Sequence, residues 1–356
     1  MSAEMELRKL FGQRLRNARV MRGFSMDGLC KRMGNRVSKQ AISKYEGGKM
    51  FPDSSVHIAL ADALGVKADY FVRPFHDPLK CIEFRKKSGL GIRQTESIRE
   101  TVRDRIERYS EIEKIFGIDS EFEYSLSSDK IKDQKDVMDL AEKVRHDWNL
   151  GEEGIPSVIE LLENHQIKVI EIEALDAFDG MCGLVDDHRP IIVLNRHYTV
   201  ERKRLTALHE LGHILLHFRE GTELKEKEHL CSTFANELLI PAKVFLDIIG
   251  NKRHDISLKE LRDIQLRFGV SVDALMFKAK YLDIISELRY RYFCMMKNRD
   301  KRFKKEVERS VYHSDQSNRF SRLVYKALAC DLISYSKAAV LLDCSLEDVR
   351  KELELV

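Results

Sequence analysis

The sequence has no run of 18 or more apolar residues, which is about the length that a helix needs to cross a bilayer. Its N-terminus, MSAEMELRKL, has no apolar stretch like that of a secretory signal peptide. The seven cysteines are scattered and include no Cys-x-x-Cys pair, which argues against a disulfide framework. We therefore expect reduced thiols, a cytoplasmic location and no membrane partner.

The charge is distributed unevenly along the chain. The 356 residues carry a formal net charge of +3, yet residues 1–75 contain 14 Lys and Arg against 7 Asp and Glu. A basic N-terminal region on a mildly acidic remainder predicts a polyanionic partner for that region. A well-solvated surface is the alternative interpretation. With 43% hydrophobic residues, the chain is long enough for two or three domains with real cores.

Residues 8–75 have the pattern of short helices separated by tight turns. Gly23 ends the first helix, Ser25 and Ser38 are typical N-caps for the next two, and Asp53 opens a fourth. Two short helices around a tight turn, the second with polar side chains, are typical of a helix-turn-helix. An all-helical DNA-binding domain is therefore expected, with a helical protein-interaction module as the alternative.

The second helix of this pair, QAISKYE, offers side chains that suit the major groove of an operator in double-stranded DNA. Gln can pair with adenine through two hydrogen bonds, and Lys can reach guanine or phosphate. Nearby basic residues would contact phosphates and fix the register. The predicted DNA-contacting residues are Lys39, Gln40, Ser43 and Lys44 on this helix, and Arg14, Arg16 and Lys49 around it.

Three runs in this region resemble the Cro/repressor (XRE-type) helix-turn-helix family: LRNARVMRGFSMDGLCKRMG, VSKQAISKYEGGKMFPD and IALADALGVKADYF. The resemblance covers nearly all of residues 10–73. It implies a transcriptional regulator. A homodimer is expected because two half-sites one helical turn apart need two readers.

Residues 76–136 form a connector, opened by Pro74 and Pro78 and carrying a helical apolar stripe from Ile98 to Phe116. We expect this stripe to pack on a neighbouring domain; a coiled-coil seam is the alternative. Residues 291–356 are predicted to be a helical C-terminal segment. We expect its last helices to pack on the central domain or to form a dimer contact, and a second DNA-contacting unit is the alternative.

Residues 137–290 have the pattern of one α+β domain with a small sheet. The sequence predicts a strand at 167–173, a hairpin of MCGLVDD and PIIVLN with its turn at 186–190, a helix at about 200–218, a polar loop at 219–228 and a helix at 231–239. We expect the hairpin to border a cleft, where an edge strand could receive an extended substrate. The whole chain is thus predicted to be mostly helical, of the α+β class.

The helix at 200–218 contains LTALHELGHILLHF, with His209, Glu210 and His213 in the His-Glu-x-x-His pattern. Residues four apart lie on one face of a helix, so both imidazoles can reach one zinc ion. Glu210 would be the general base for a water beside the metal. Two histidines and a glutamate on an apolar helix would be costly to bury without such a partner.

A third metal ligand is needed, and several downstream residues are candidates on spacing: His217, Glu220, Glu223, Glu226, Glu228, His229 and Glu237. His217 would lie about 6 Å further along the helix, so a carboxylate from the next helix fits better. One zinc ion per chain is expected, although other divalent transition metals suit the same ligands.

The central stretch resembles the ImmA/IrrE-type zinc metallopeptidase family, which is gluzincin-like and often follows an XRE-type region. The matching runs are AEKVRHDWNLG, PIIVLN, ERKRLTALHELGHILLH and EHLCSTFANELLIP. The resemblance implies Glu228 as third ligand, with Glu237 as the fallback. Where the family commonly has Ala-Asn, this chain has Cys231-Ser232, and the shorter Ser232 is expected to orient a zinc histidine less well.

These patterns predict a DNA-binding regulator with a zinc metalloendopeptidase domain, which the resemblance suggests cuts a partner protein such as a repressor. The alternative is a sensor or antitoxin-like regulator whose metal domain binds a ligand or a partner, such as a toxin, without proteolysis. A third possibility is a structural zinc domain with a closed four-ligand site that dimerises the N-terminal region.

Overall fold

A computed structural model describes residues 3–75, 82–84, 91–118, 122, 124, 131, 133–174, 178–185 and 188–354. Pro78 and residues 186 and 187 of the predicted hairpin turn lie outside them. Clustering of backbone contacts divides the chain into two compact units. The first contains residues 1–82, 86–119 and 320–356, and the second contains residues 83–85 and 120–319.

The first unit begins with a bundle of short helices. They are α1 (Ala3–Met21), α2 (Met26–Arg32), α3 (Lys39–Glu46) and α4 (Ser54–Leu64), followed by a 3-10 turn at Ala68–Val72. Ser25, Ser38 and Asp53 each accept a hydrogen bond from a free backbone N–H at the start of their helix, which confirms the predicted caps. Leu29, Val37 and Ile42 lie in the core that joins α2 and α3.

After the short strand β1 (Ile82–Phe84), the connector contains the long helix α5 (Ile92–Ile115). Its predicted apolar stripe is buried from Ile98 to Ile112. The helix packs along α1. The stripe therefore packs on a neighbouring domain, as predicted, and both α1 and α5 belong to the first unit.

The second unit contains nine helices and three strands among its described elements after residue 120. They are α6 (Gln134–Asp147), α7 (Val158–Asn164), β2 (Lys168–Ile172), β3 (Gly180–Val185), β4 (Arg189–Asn195), α8 (Val200–Leu215), α9 (Leu224–Leu239), α10 (Ala242–Ile249), α11 (Leu258–Phe268), α12 (Val272–Tyr281), α13 (Glu287–Arg299) and α14 (Lys301–Val307). The α+β, mostly helical class is confirmed. No helix in the described residues is long and apolar enough to span a bilayer.

The sheet has the strand order β1-β3-β4-β2. β3 and β4 form the predicted antiparallel hairpin, with Cys182 opposite Ile192, and β2 pairs with β4 in parallel. β4 therefore lies between two strands, and the three-residue β1 lies along the other side of β3. β4 thus has no free edge, while β1 has only three residues against the six of β3, and the role of the hairpin at a substrate cleft stays a prediction.

Helix α8 is anchored by a buried ion pair. Arg204 donates to the Asp315 carboxylate at 2.7 Å, and both side chains are 0% exposed. Asp315 also accepts from the backbone N–H groups of Val158 and Ile159 at the start of α7. One carboxylate thus ties α8 to the first turn of α7, where free N–H groups favour an anion.

The chain ends in α15 (Arg319–Ala329), α16 (Tyr335–Leu342) and α17 (Leu346–Glu354). Their apolar faces form one cluster with Ile112 of α5, which includes the buried Val324, Leu341 and Val349. Lys67 donates to the backbone carbonyls of Ala339 and Cys344. We expected these helices to pack on the central domain or to form a dimer contact. They pack instead within the first unit, against the C-terminal end of α5 at Ile112, Ile115 and Phe116.

Candidate metal centre and nucleic-acid interface

His209 and His213 lie one turn apart on α8, and their ring centroids are 4.9 Å from each other. The helical spacing of four residues places both rings on one face, as the sequence predicts. His213 is 6% exposed. The helix ends at Leu215, three residues before the predicted end, and His217 beyond it is exposed.

Glu228 approaches the two histidines from α9. One carboxylate oxygen lies 3.1 Å from Nε2 of His209, and the other lies 3.2 Å from Nε2 of His213. One ligand atom from each of the three residues lies within 4.8 Å of the others, and this is the one such group found in the described residues. The predicted polar loop at 219–228 is wrong beyond Glu223, because α9 begins at Leu224 and carries Glu228 in its second turn.

Glu237, the fallback ligand, lies elsewhere. One of its carboxylate oxygens accepts from the Lys278 ammonium at 2.9 Å, and the other accepts from the backbone N–H of Ala242. Burial lowers the pKa of Lys278, and the charge of Glu237 opposes that shift. The Glu237 carboxylate is committed to this internal pair, so the fallback is wrong.

Ser232 holds the far side of the His209 ring. Its hydroxyl oxygen lies 3.1 Å from Nδ1 of His209, and the same hydroxyl donates to the backbone carbonyl of Glu228 at 2.8 Å. Ser232 was expected to orient a zinc histidine less well than Asn. It nevertheless reaches the ring directly, because it lies on the same helix as Glu228 and one turn later.

The donor set fits a divalent transition metal. Two imidazoles and a carboxylate are the usual protein ligands of a zinc site that keeps one position open. Each Nε2 atom faces the shared carboxylate, while Nδ1 of His209 is occupied by Ser232. Such a partner on the second ring nitrogen is typical of metal-binding histidines. Glu210, next to His209 on α8, is 1% exposed.

The predicted DNA-reading face is exposed on α3. Lys39, Gln40, Ser43 and Lys44 are all exposed, while Ile42 and Tyr45 of the same helix are buried in the bundle core. Lys39 lies 2.8 Å from Asp27, and hydrogen bonding to that carboxylate raises the pKa of Lys39. Both partners are exposed, so a phosphate can compete for the lysine.

Arg14 is not part of this face. Its side chain is 1% exposed, and its guanidinium donates two hydrogen bonds to the Glu107 carboxylate of α5, at 2.7 and 2.6 Å. The prediction of a phosphate contact for Arg14 is wrong, because the packing of α5 on α1 buries it. Arg16 and Lys49, the other two predicted phosphate contacts, are exposed.

Sequence reasoning missed the residues that position α8 and the histidine rings. Arg204 and Asp315 are 111 positions apart, so no local pattern joins them. Cys231 is 0% exposed. Its sulfur lies 3.3 Å from Nδ1 of His213. Its place beside Ser232 was the one signal available.

Comparison with known proteins gives a match in two separate regions of the chain. Residues 12–73 match the family model of a helix-turn-helix domain, and residues 162–280 match the peptidase family model described as the IrrE N-terminal-like domain. The chain is similar to the SPbeta prophage-derived uncharacterized HTH-type transcriptional regulator YonR of Bacillus subtilis (strain 168). The two are 33% identical over 67 residues, which are 19% of this chain and 60% of that protein. The chain therefore carries a helix-turn-helix domain at residues 12–73 and an IrrE N-terminal-like domain at residues 162–280.

Proposed function

We propose that the chain binds an operator in double-stranded DNA and that its IrrE N-terminal-like domain is a zinc-dependent endopeptidase acting on a partner protein such as a repressor. The convergence of His209, His213 and Glu228 from two helices carries the proposal. A homodimer in the cytoplasm is the expected form, because helix-turn-helix proteins commonly read paired half-sites.

In this proposal, Nε2 of His209, Nε2 of His213 and the Glu228 carboxylate hold one zinc ion. When bound, the ion supplies a Lewis acid that polarises the peptide carbonyl. Glu210 follows His209 directly on the rigid helix α8. Its carboxylate would take a proton from the attacking water and return it to the leaving amine, as a general base and then a general acid.

On the DNA side, Gln40 and Lys44 would contact base edges from α3, together with Lys39 and Ser43. Arg16 and Lys49 would contact phosphates. Their exposure supports these roles, because a side chain must be accessible to reach the groove. The buried Arg14 takes no part.

A regulator whose metal domain binds a ligand or a toxin-like partner without cutting it is the second candidate. One observation favours it. β4 lies between β3 and β2, so it offers no free edge to an extended peptide. A peptidase would therefore have to bind its substrate at a strand other than β4 or outside the sheet.

The variant Glu210→Gln separates the two candidates, because it removes the general base and keeps the three proposed metal ligands. Zinc stoichiometry and operator affinity should match wild type, while cleavage should fall by about 10²- to 10⁴-fold. The measurement is a comparison of new protein N-termini, by mass spectrometry, in cells expressing wild type or Glu210→Gln. Sites seen with wild type alone support the peptidase. If wild type and Glu210→Gln both bind zinc and give identical sets of N-termini, the peptidase proposal is wrong and the sensor remains.

A further inference from the structure

The second ring nitrogen of His213 also has a partner on α9. The Cys231 sulfur lies 3.3 Å from Nδ1 of His213, in a fully buried position. Cys231 and Ser232 are adjacent, so α9 contacts the two histidines through neighbouring side chains. The same helix contributes Glu228 less than one turn earlier. The two helices therefore carry the proposed ligands and these partners of both rings.

Close approach of the helices makes the sulfur contact possible. A Cβ atom on Gly212 would lie 3.3 Å from both Cα and Cβ of Cys231, and 3.3 Å from the Phe234 ring. That separation is tighter than ordinary van der Waals contact, so a larger residue at 212 would push α9 away from α8. With glycine there, the short side chain of Cys231 reaches the ring of His213.

The hydrogen bonds at Ser232 require a proton on Nδ1 of His209. The Ser232 hydroxyl gives its proton to the Glu228 carbonyl, so toward the ring it can act as an acceptor alone. His209 must then donate from Nδ1, which in the neutral ring leaves the lone pair on Nε2, the atom that faces Glu228. If Nε2 of His213 is likewise a metal ligand, the proton of the neutral ring is on Nδ1 and can be donated to the Cys231 sulfur.

We propose that Cys231 is a positioning residue for His213: its sulfur accepts the Nδ1–H bond and keeps the Nε2 lone pair directed at the metal. This inference rests on the proposed zinc site. Sulfur is a weaker acceptor than oxygen, so its contribution should be smaller than that of Ser232. Metal affinity is the property that this contact should change.

The experiment measures zinc dissociation constants of the full chain by competition with a chromophoric chelator, for wild type, Cys231→Ala, Cys231→Ser and Ser232→Ala. We expect about a tenfold weakening for Cys231→Ala and up to about 100-fold for Ser232→Ala, the range for loss of such partners. Cys231→Ser keeps an acceptor and should recover part of the loss. The visible spectrum of the Co²⁺-loaded protein should change in Cys231→Ala, because the His213 ring is no longer fixed.

Cys294→Ala is the matched control, since Cys294 packs against the same core from α13 and is not among the proposed site residues. It should leave the dissociation constant and the Co²⁺ spectrum unchanged. If Cys231→Ala also leaves both unchanged while wild type binds one zinc ion, the positioning role is overturned and the metal site stands. If wild type binds no zinc or Co²⁺, the proposed site itself is overturned.

Discussion

Arg204 and Asp315 form an ion pair without solvent exposure, and it fixes the helix that carries His209 and His213. Arg204 also donates to the backbone carbonyl of Ile155 at 2.7 Å, and Asp315 accepts from Ser157 and from α7. The pair is thus the centre of a network that joins three segments distant in sequence. Its integrity should matter for folding of the second unit rather than for metal chemistry directly.

Asp315→Ala should therefore destabilise the second unit. Breaking one partner of a buried pair leaves an uncompensated charge and costs about 3–5 kcal/mol. Chemical denaturation followed by circular dichroism measures the loss. Asp263→Asn, at an exposed site on α11, is the control and should stay within about 0.5 kcal/mol of wild type. Equal stability of the Asp315→Ala variant and wild type would show that the pair is dispensable.

Leu341→Ala should destabilise the first unit, although residue 341 is far from it in sequence. Leu341 is 0% exposed and packs in the cluster that contains Ile112 of α5. Truncation of a buried leucine costs about 2–5 kcal/mol. Leu332, which is 52% exposed, provides the control Leu332→Ala. Thermal unfolding should separate the two variants; a shared small effect would argue that the C-terminal helices are not docked in solution.

Glu228→Gln should lose stoichiometric zinc, because it removes the carboxylate that faces both Nε2 atoms. The expected weakening exceeds the roughly 100-fold that is the upper range for loss of a hydrogen-bond partner of a metal ligand. Glu226→Gln, exposed on the same helix, should bind zinc as wild type does. Metal analysis after dialysis against a weak chelator measures both. Retention of zinc by the Glu228 variant would point to a different third ligand.

Gln40→Ala should weaken operator binding by about 1–3 kcal/mol and relax base preference at one position. Lys49→Gln should instead weaken binding to all sequences. The slope of the logarithm of the binding constant against the logarithm of the salt concentration should become shallower by about 1, as loss of a phosphate contact predicts. Fluorescence anisotropy at several salt concentrations distinguishes the two effects. The same salt slope in wild type and the Lys49 variant would remove Lys49 from the interface.

Acid should destabilise the second unit partly through Glu201 of α8. Burial disfavours the charge of Glu201, but hydrogen bonds from Ser310, Gln265 and the backbone outweigh it and lower its pKa. A lowered folded-state pKa contributes stability above the ordinary carboxyl value of 4.5, and that contribution is lost as the pH falls below it.

Glu201→Gln should accordingly lower stability at pH 7 and flatten the loss of stability below about pH 4.5. Unfolding free energies at pH 7, 5 and 3.5 provide the measurement. Glu220→Gln is the control, because Glu220 is exposed. If the unfolding free energy of the Glu201 variant falls with acid as that of wild type does, other carboxylates cause the acid sensitivity.

Several features of the fold could be predicted locally. The caps Ser25, Ser38 and Asp53 satisfy backbone N–H groups within their own first turn, so the signal needs no distant partner. The pairing of β3 with β4 followed from two apolar runs around a turn. The boundary of α9 was misjudged because its first six residues, LKEKEH, are mostly polar, and an exposed helical segment has the same composition as a loop.

The sequence by itself determined the two domains and the placement of His209 and His213 on one helical face, because helical periodicity and capping act over a few residues. The tertiary structure decided that Arg14 is buried by Glu107, that residues 320–356 complete the first unit, and which carboxylate faces the histidines. It also decided that Cys231 reaches His213. Each depends on which surfaces bury together across 15 or more residues of chain, and such burial is a property of packing that no local pattern records.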